Sequence, residues 1–263
     1  MPPARLTLQK SGHVACITLT CPERANVLDA RALRDLADAC ETVRDDDNVR
    51  VAIITAEGEV FCSGWDWEAL AAVAKGGSLL DAARGLGMVP DPFRCLHELS
   101  RPVICAMNGG AHGAGLELAL ACDIRVAAEG ALFSLPETQM GLLPMAGGIQ
   151  RLARLVGRGR ALQLVLTGEE FSAEEAHAMG LVNRIVPRER IFDESRLLAE
   201  RIAERGPLAT AYAKEAINRG IDMPLEQALR FETDLTVILQ TTEDRAEGVS
   251  AFIQKRKPDF KGT

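Results

Sequence analysis

The chain has 263 residues, of which 47% are hydrophobic and 25% charged, and its formal net charge is −7. This balance is that of a globular protein and excludes a disordered or fibrous one. The acidic charge argues against a general nucleic-acid binder or a binder of anionic membranes, because both need a positive field.

The first ten residues contain no apolar run of the kind found in secretory signals, and no later apolar stretch of membrane-spanning length is free of charge, glycine or proline. We therefore expect a cytoplasmic protein that does not insert into a membrane. The seven cysteines are odd in number and form no close CxxC pair, so we interpret them as reduced, structural thiols.

Short β-type runs alternate with helical periodicity through the first two thirds of the chain, which predicts an α/β fold. The predicted strands are Val14 to Leu19, Val49 to Thr55, Val103 to Met107, Ile124 to Ala127 and Leu181 to Val186. The predicted helices are Ala30 to Val43 (after the capping candidate Asp29), Glu68 to Ala74, Gly115 to Cys122 and Arg160 to Leu166. The glycine-rich stretch Lys75 to Pro92 predicts a mobile loop around a short helix.

From Ser195 onward only helical spacing remains, with Pro207 and Pro224 each near a first helical turn. We expect residues 1–194 to form the core with the ligand site. Residues 195–263 are expected to form a helical region that packs against another copy of the chain.

The first candidate motif is Val60 to Leu70, which follows a predicted strand. Gly64 permits a close backbone approach, and the N–H of Trp65 is then available as an oxyanion donor. Trp65 and Trp67 could equally be plain hydrophobic anchors.

The second motif is the glycine-rich turn that opens at Asn108, follows a predicted buried strand and leads into a predicted helix ending near Cys122. Such a turn can hold an anion or be a packing turn only. Within its helix Glu117 has only apolar or glycine neighbours three and four residues away. A buried carboxylate is costly, and burial raises its pKa, which suits acid/base work; the alternative is a structural salt bridge to a distant arginine.

The third motif runs from Phe133 to Arg151. Pro136 followed by Glu137 is typical of a first helical turn, and the glycines and proline between Gly141 and Gly148 predict a bend that exposes backbone donors. Two glutamates beside glycine-rich turns are expected where one activates water and the other handles a carbon-bound proton.

These three motifs, in this order, resemble the enoyl-CoA hydratase/isomerase (crotonase) family. The resemblance extends to Pro22 to Leu28, Leu166 to Gly168, Ala173 to Asn183 and Glu243 to Gly262. It implies a crotonase-like spiral of ββα repeats with a C-terminal all-helical trimerisation region, assembled as a homo-trimer or a dimer of trimers. It also implies an acyl-CoA substrate, with coenzyme A as part of that substrate, no other cofactor and no metal site.

By the same resemblance, Glu117 and Glu137 are the catalytic pair, and the backbone N–H groups of Trp65 and Ala114 form the oxyanion hole. The resemblance places the coenzyme A contacts at Arg24, Ala25, Ser63, Asp66, Phe260 and Lys261, the last two reaching the site from the tail or from a neighbouring copy. Trp65, His112 and Met145 depart from the family's usual residues, and with Trp67 they are expected to shape the acyl pocket.

The expected function is hydration of the 2,3 double bond of an enoyl-CoA through an enolate. The Gly64–Trp65–Asp66 sequence resembles carnitinyl-CoA dehydratases, so a polar or branched acyl group is an alternative. A second alternative is double-bond isomerisation, or another enolate reaction such as cleavage of a C–C bond. An acyl-CoA-binding oligomeric scaffold without catalysis is the third, and the retained glutamates count against it.

Overall fold

The computed structural model describes residues 4–73 and 91–263. Its strands, in chain order, are β1 (Leu6–Ser11), β2 (Val14–Leu19), β3 (Val51–Ala56), β4 (Val103–Met107), β5 (Ala111–His112), β6 (Ile124–Ala128), β7 (Leu132–Ser134), β8 (Phe171–Ser172) and β9 (Arg184–Val186). The main sheet runs β1-β2-β3-β4-β6-β9, and every neighbouring pair after the antiparallel β1 and β2 is parallel. All five residues of β4 are buried, as expected for a parallel strand covered on both faces.

A second, smaller sheet joins β5, β7 and β8. Strand β5 pairs in parallel with β7, and β7 pairs antiparallel with β8. The rings of Phe133 and Phe171, on β7 and β8, pack at 5.9 Å between their centroids. Strand β5 ends directly before Gly113, and the N–H of Gly113 donates to the carbonyl oxygen of Ser134 on β7, so this sheet positions the start of the helix that contains Glu117.

The helices are α1 (Ala30–Asp45), α2 (Trp67–Val73), α3 (Pro92–His97), α4 (Ala114–Leu120), α5 (Gly148–Val156), α6 (Arg158–Thr167), α7 (Ala173–Ala178), α8 (Ile191–Ala203), α9 (Pro207–Gly220), α10 (Leu225–Leu239) and α11 (Glu243–Ile253). Short 3-10 turns lie at Pro22–Arg24, Pro136–Met140 and Arg188–Arg190. The cap predicted for α1 is confirmed, because Asp29 accepts from the N–H groups of Arg31 and Ala32.

The α/β prediction is confirmed, with several changes of boundary. The strand predicted from Leu181 begins only at Arg184, because the N–H of Leu181 still donates to the carbonyl oxygen of Ala176 in the preceding turn. Strands β1, β5, β7 and β8 were missed, the last three because two or three residues are too short to show a period. Most of the predicted loop Lys75 to Pro92 lies outside the described residues, but Pro92 itself is helical and follows the cap residue Asp91.

The C-terminal helices fall into two groups. Helix α8 packs on β3 and β4, and its Ala199 and Ala203 are buried with the apolar side chains of the sheet. The division expected after residue 194 therefore lies inside a helix that covers the sheet. By contrast, α9 to α11 carry large exposed apolar side chains, among them Ile217, Leu225, Leu229, Phe252 and Ile253. None of the described helices has the length and apolar character needed to cross a membrane.

Candidate active site

The segment between β3 and α2 is clamped between two other stretches of backbone. On one side the N–H of Leu28 donates to the carbonyl oxygen of Gly64 at 2.7 Å. On the other side the N–H of His112 donates to the carbonyl oxygen of Cys62 at 3.0 Å. The direction of the Trp65 amide, which follows Gly64, is fixed by these two sets of bonds.

Gly64 touches the turn before α4. A β-carbon at this position would lie 2.6 Å from the carbonyl oxygen of His112 and 3.3 Å from the amide nitrogen of Ala114, and φ of Gly64 is +96°. Only glycine fits there without displacing backbone. Within the described residues, the amides of Trp65 and Ala114 have no protein acceptor, so both N–H groups are available beside this contact.

Glu117 lies in α4 with none of its surface exposed. Its Oε1 accepts from the N–H groups of Ala146 and Gly148, each at 2.8 Å. Its Oε2 is buried and has no hydrogen-bond partner among residues 4–73 and 91–263. No ion pair within 4.0 Å involves Glu117 among the described residues, so the alternative of a structural salt bridge finds no support there. One oxygen is thus held by the protein and the other is free to bind a ligand or water.

Glu137 lies in the 3-10 turn Pro136–Met140, with Pro136 in its first turn as the sequence indicated. The side chain is fully buried, and in the described part of the chain neither carboxyl oxygen has a hydrogen-bond partner. A β-carbon on Gly113 would stand 2.6 Å from Oε1 of Glu137. Glu137 therefore lies against the turn that presents the Ala114 amide, and its local role as a helix-start residue does not explain its burial.

Burial raises the pKa of both carboxyl groups. The pKa of Glu117 is raised to about 7: burial is the largest cause, the amides of Gly148 and Ala146 oppose it, and the charge of Glu137 adds to it. Burial also raises the pKa of Glu137. An acid such as Glu117, with a pKa near neutral pH, can both give and take protons, which general acid/base catalysis requires.

Four of the six predicted coenzyme A contacts lie together. Nη2 of Arg24 donates to Oδ2 of Asp66 at 2.9 Å, and the N–H of Ser63 donates to the carbonyl oxygen of Ala25 at 2.9 Å. They surround the clamped segment that presents the Trp65 amide.

The other two, Phe260 and Lys261, lie against the C-terminal helices of the same chain. The N–H of Lys261 donates to Asp244 at 2.6 Å, and the carbonyl oxygen of Phe260 accepts from Arg50 at 2.6 Å. Among the described residues neither bonds to the Arg24 group.

The four residues predicted to shape the acyl pocket lie in different surroundings. Trp65 is 2% exposed, and its ring packs at 5.9 Å from that of Phe93. Its indole N–H is buried and has no acceptor in the part of the chain that the structure describes. Trp67 and Met145 are half-buried against the main core, and Met145 directly precedes the Ala146 amide that holds Glu117. The ring of His112 bonds to Oγ of Ser134 at 2.9 Å and so contacts the small sheet.

The sequence indicated that the bend before α5 exposes backbone donors, but not that these donors bind Glu117 itself. It also assigned no role to Arg151, whose side chain holds the same bend. In the described part of the chain, no three His, Cys, Asp or Glu side chains are grouped so that they could hold a metal ion.

Comparisons with known proteins identify the family to which the chain belongs. A family model for enoyl-CoA hydratase/isomerase matches residues 9–263. The chain is 38% identical to 2,3-dehydroadipyl-CoA hydratase of Escherichia coli (strain K12), over 98% of this chain and 99% of that protein. It is 40% identical to carnitinyl-CoA dehydratase of Salmonella agona, over 98% of each.

Among solved structures, an enoyl-CoA hydratase from Bacillus anthracis superimposes with a TM-score of 0.93 at 39% identity, covering 98% of this chain and all of that one. The expected crotonase-like architecture is confirmed by this match. Likeness in fold and sequence along nearly the whole length leaves one assignment: the chain is a member of the enoyl-CoA hydratase/isomerase family.

Proposed function

We propose that this protein adds water across the 2,3 double bond of an acyl-CoA thioester. The observation that carries the proposal is the pair of buried carboxyl groups, Glu117 and Glu137, with free oxygens beside two free amides. A catalytically idle scaffold has no use for two such groups, because each costs free energy to bury without a partner. The names of both curated relatives, one a hydratase and one a dehydratase, support the reaction class.

In the proposed reaction the thioester oxygen accepts hydrogen bonds from the amides of Trp65 and Ala114. One such donor is worth about 3 kcal/mol in the transition state. Glu117, fixed through Oε1, takes a proton from water with its free Oε2, and the oxygen of that water attacks the β-carbon. The protonated carboxyl of Glu137 then gives its proton to the α-carbon of the enolate, and dehydration is the reverse.

The coenzyme A part is proposed to lie along Arg24, Ala25, Ser63 and Asp66. Because Phe260 and Lys261 lie elsewhere on this chain, we propose that they meet the ligand of a neighbouring copy in a homo-trimer or a dimer of trimers. The exposed apolar side chains of α9 to α11 support such an assembly. A cytoplasmic location, and a reaction that needs no cofactor beyond the coenzyme A of its substrate, complete the proposal.

A second candidate is hydration or dehydration of an acyl group that carries its own polar substituent. Among residues 4–73 and 91–263, the buried indole N–H of Trp65 has no acceptor, and this amino acid also supplies one of the proposed oxyanion donors. A hydroxyl or carboxylate on the acyl chain would satisfy it. The two curated relatives are named for acyl groups of this polar kind.

The experiment is to mix the purified protein with crotonyl-CoA and with a hydroxylated and a dicarboxylic enoyl-CoA, and to follow loss of the conjugated enoyl absorbance. Glu117→Gln serves as the matched inactive control, because it keeps the shape of the side chain. Absorbance loss that persists in that variant would overturn the acid/base assignment. Thermal stabilisation by coenzyme A without turnover of any substrate would favour the scaffold instead.

A further inference from the structure

Arg151, in α5, contacts the bend that holds Glu117. Its Nη1 donates to the carbonyl oxygen of Ala146 at 2.7 Å. A β-carbon on Gly147 would lie 2.4 Å from that same nitrogen, so the guanidinium packs directly on the bend. The position follows from helix geometry, because a side chain in a helix covers the turn before it.

The carbonyl that Arg151 holds belongs to the peptide between Ala146 and Gly147. The peptides on either side of it carry the two N–H groups, those of Ala146 and Gly148, that donate to Oε1 of Glu117. Rotation of the central peptide would turn both donors away from the carboxyl group. The bend is also tight against Glu117, since a β-carbon on Gly148 would lie 2.7 Å from Cγ of Glu117.

The half-buried guanidinium is not used in an ion pair. In the described ranges Arg151 has no carboxylate within 4.0 Å, whereas Arg154, one turn further along, pairs with Asp222. Burial lowers the pKa of Arg151, and the charges of Asp91 and Glu117 act against that. Among the described residues the side chain of this partly buried cation bonds only to the backbone of the bend, which needs a reason beyond surface solubility.

We propose that Arg151 is a positioning residue for the acid/base pair: it fixes the bend so that Glu117 is held by one oxygen and keeps the other free for water. This inference rests on the proposed function for its meaning in catalysis. The geometry itself concerns only Glu117 and the bend, so it can be tested without a substrate.

Other charged and titratable groups must be accounted for in such a test. Glu137 faces Glu117, and His97, Asp91 and Cys122 face Arg151. Loss of the cation changes the surroundings of all of them. Each variant is therefore compared with the same variant carrying Glu117→Gln, so that only the Glu117 signal remains in the difference.

The variants are Arg151→Met, which removes both charge and donor, Arg151→Lys, which keeps the charge, and Arg154→Met as the matched control on the same helix. The full chain in its native assembly is titrated in the infrared, and the protonated carboxyl band of Glu117 gives its titration midpoint. We expect a higher midpoint in Arg151→Met than in the wild type, an intermediate one in Arg151→Lys and no change in Arg154→Met. Loss of the two amide bonds and of the cation both disfavour the ionised carboxyl.

Kinetics on crotonyl-CoA supply the second readout. We expect kcat to fall about 10- to 100-fold in Arg151→Met, because a small misplacement of a reacting group has that effect. KM should stay near the wild-type value, and the acid limb of kcat should move to higher pH. Arg151→Lys should recover part of the loss.

The two proposals fail differently. A wild-type protein that hydrates none of the substrates, with the Glu117 midpoint still raised in Arg151→Met, would reject the function and keep the positioning role. Unchanged midpoints in Arg151→Met and Arg151→Lys would overturn the positioning role whatever the activity. If the melting curve of Arg151→Met shows that this variant does not fold, the titration midpoint of Glu117 in Arg151→Lys is the test instead.

Discussion

Gly113 and Glu137 lie in direct contact, with 2.6 Å between Oε1 of the glutamate and the place where a β-carbon on the glycine would stand. The glycine also has φ of +52° and donates its N–H to the carbonyl oxygen of Ser134 at 2.9 Å. The turn therefore cannot shift away from the carboxyl group without losing that bond. The position of Gly113 therefore limits where the Glu137 carboxyl group can lie.

Substitution of Gly113 by alanine should abolish most turnover while leaving a folded protein. The added methyl group would push the Glu137 carboxyl off the α-carbon it is proposed to protonate. The backbone at φ of +52° and ψ of −123° would add about 1–3 kcal/mol of strain. Gly130→Ala is the control, because it has φ of +71° with nothing within 4 Å of the added carbon. We expect the melting temperatures of the two variants to fall by comparable amounts and the activity to be lost only in Gly113→Ala. Equal activities in the two variants would contradict the role assigned to Glu137.

Gly148→Ala should separate stability from activity at the other carboxyl group. Alanine is the better helix former by about 1 kcal/mol, but here its β-carbon would lie 2.7 Å from Cγ of Glu117. We expect lower activity and no gain in the free energy of unfolding. Gly159→Ala in α6 meets open space and should be neutral or stabilising, with full activity. A stabilised and fully active Gly148→Ala variant would show that the bend does not confine Glu117.

Much of the fold could be predicted from local sequence patterns, as strands β2, β3 and β4 show. The bounds of β2 and β4 were predicted to the residue, because their apolar runs are bounded by turn residues on both sides. The prediction of β3 began two residues early: Val49 is buried and apolar, but its N–H donates to the carbonyl oxygen of Asp46 in a turn. Apolar character alone does not distinguish a buried turn from a strand.

A site residue could be predicted from the sequence where its charge interrupts an apolar pattern. It could not be predicted where its side chain bonds to the backbone. Glu117 was recognised because it is the one carboxylate in an apolar helix. The role of Arg151 was missed because its hydrogen-bond partner is the carbonyl oxygen of Ala146. Every residue has such a carbonyl group, so the sequence does not indicate which one is bound. The placement of Phe260 depends on how copies of the chain assemble, which neither the sequence nor one chain decides.

Glu117→Gln should change how stability depends on pH. The pKa of Glu117 is about 7 in the folded protein against an ordinary value of 4.5, so its stabilising contribution is complete below pH 4.5 and is lost as the pH rises through 7. The free energy of unfolding of the variant relative to wild type should therefore increase between pH 4.5 and 8, by up to about 3 kcal/mol. Denaturant melts at several pH values measure it, with the exposed Glu226→Gln as control; a flat difference would show that burial does not raise this pKa.

Glu137→Gln should move the titration of Glu117 to lower pH. The charge of Glu137 contributes to the raised pKa of Glu117, and a neutral amide removes that contribution while keeping the side chain's shape. The infrared midpoint of Glu117 in the free protein reports the change even though turnover is expected to fall by about 10²–10⁴. Glu170→Gln, an exposed carboxyl next to His112, is the control. A midpoint that rises or stays constant in Glu137→Gln would mean that the two acids do not interact.

Arg24→Ala should weaken binding of the coenzyme A moiety without changing the chemical step. Arg24 is 40% exposed in its side chain and is oriented by Asp66 at 2.9 Å, so its charge is available to a phosphate at the proposed site. We expect KM for a coenzyme A thioester to rise about tenfold, or about 1.4 kcal/mol, with kcat nearly unchanged. The matching pantetheine thioester lacks the nucleotide phosphates, so its KM should not respond, and Arg196→Ala on α8 should leave both values as they are. An equal rise in KM for the two thioesters would place the coenzyme A phosphates away from Arg24.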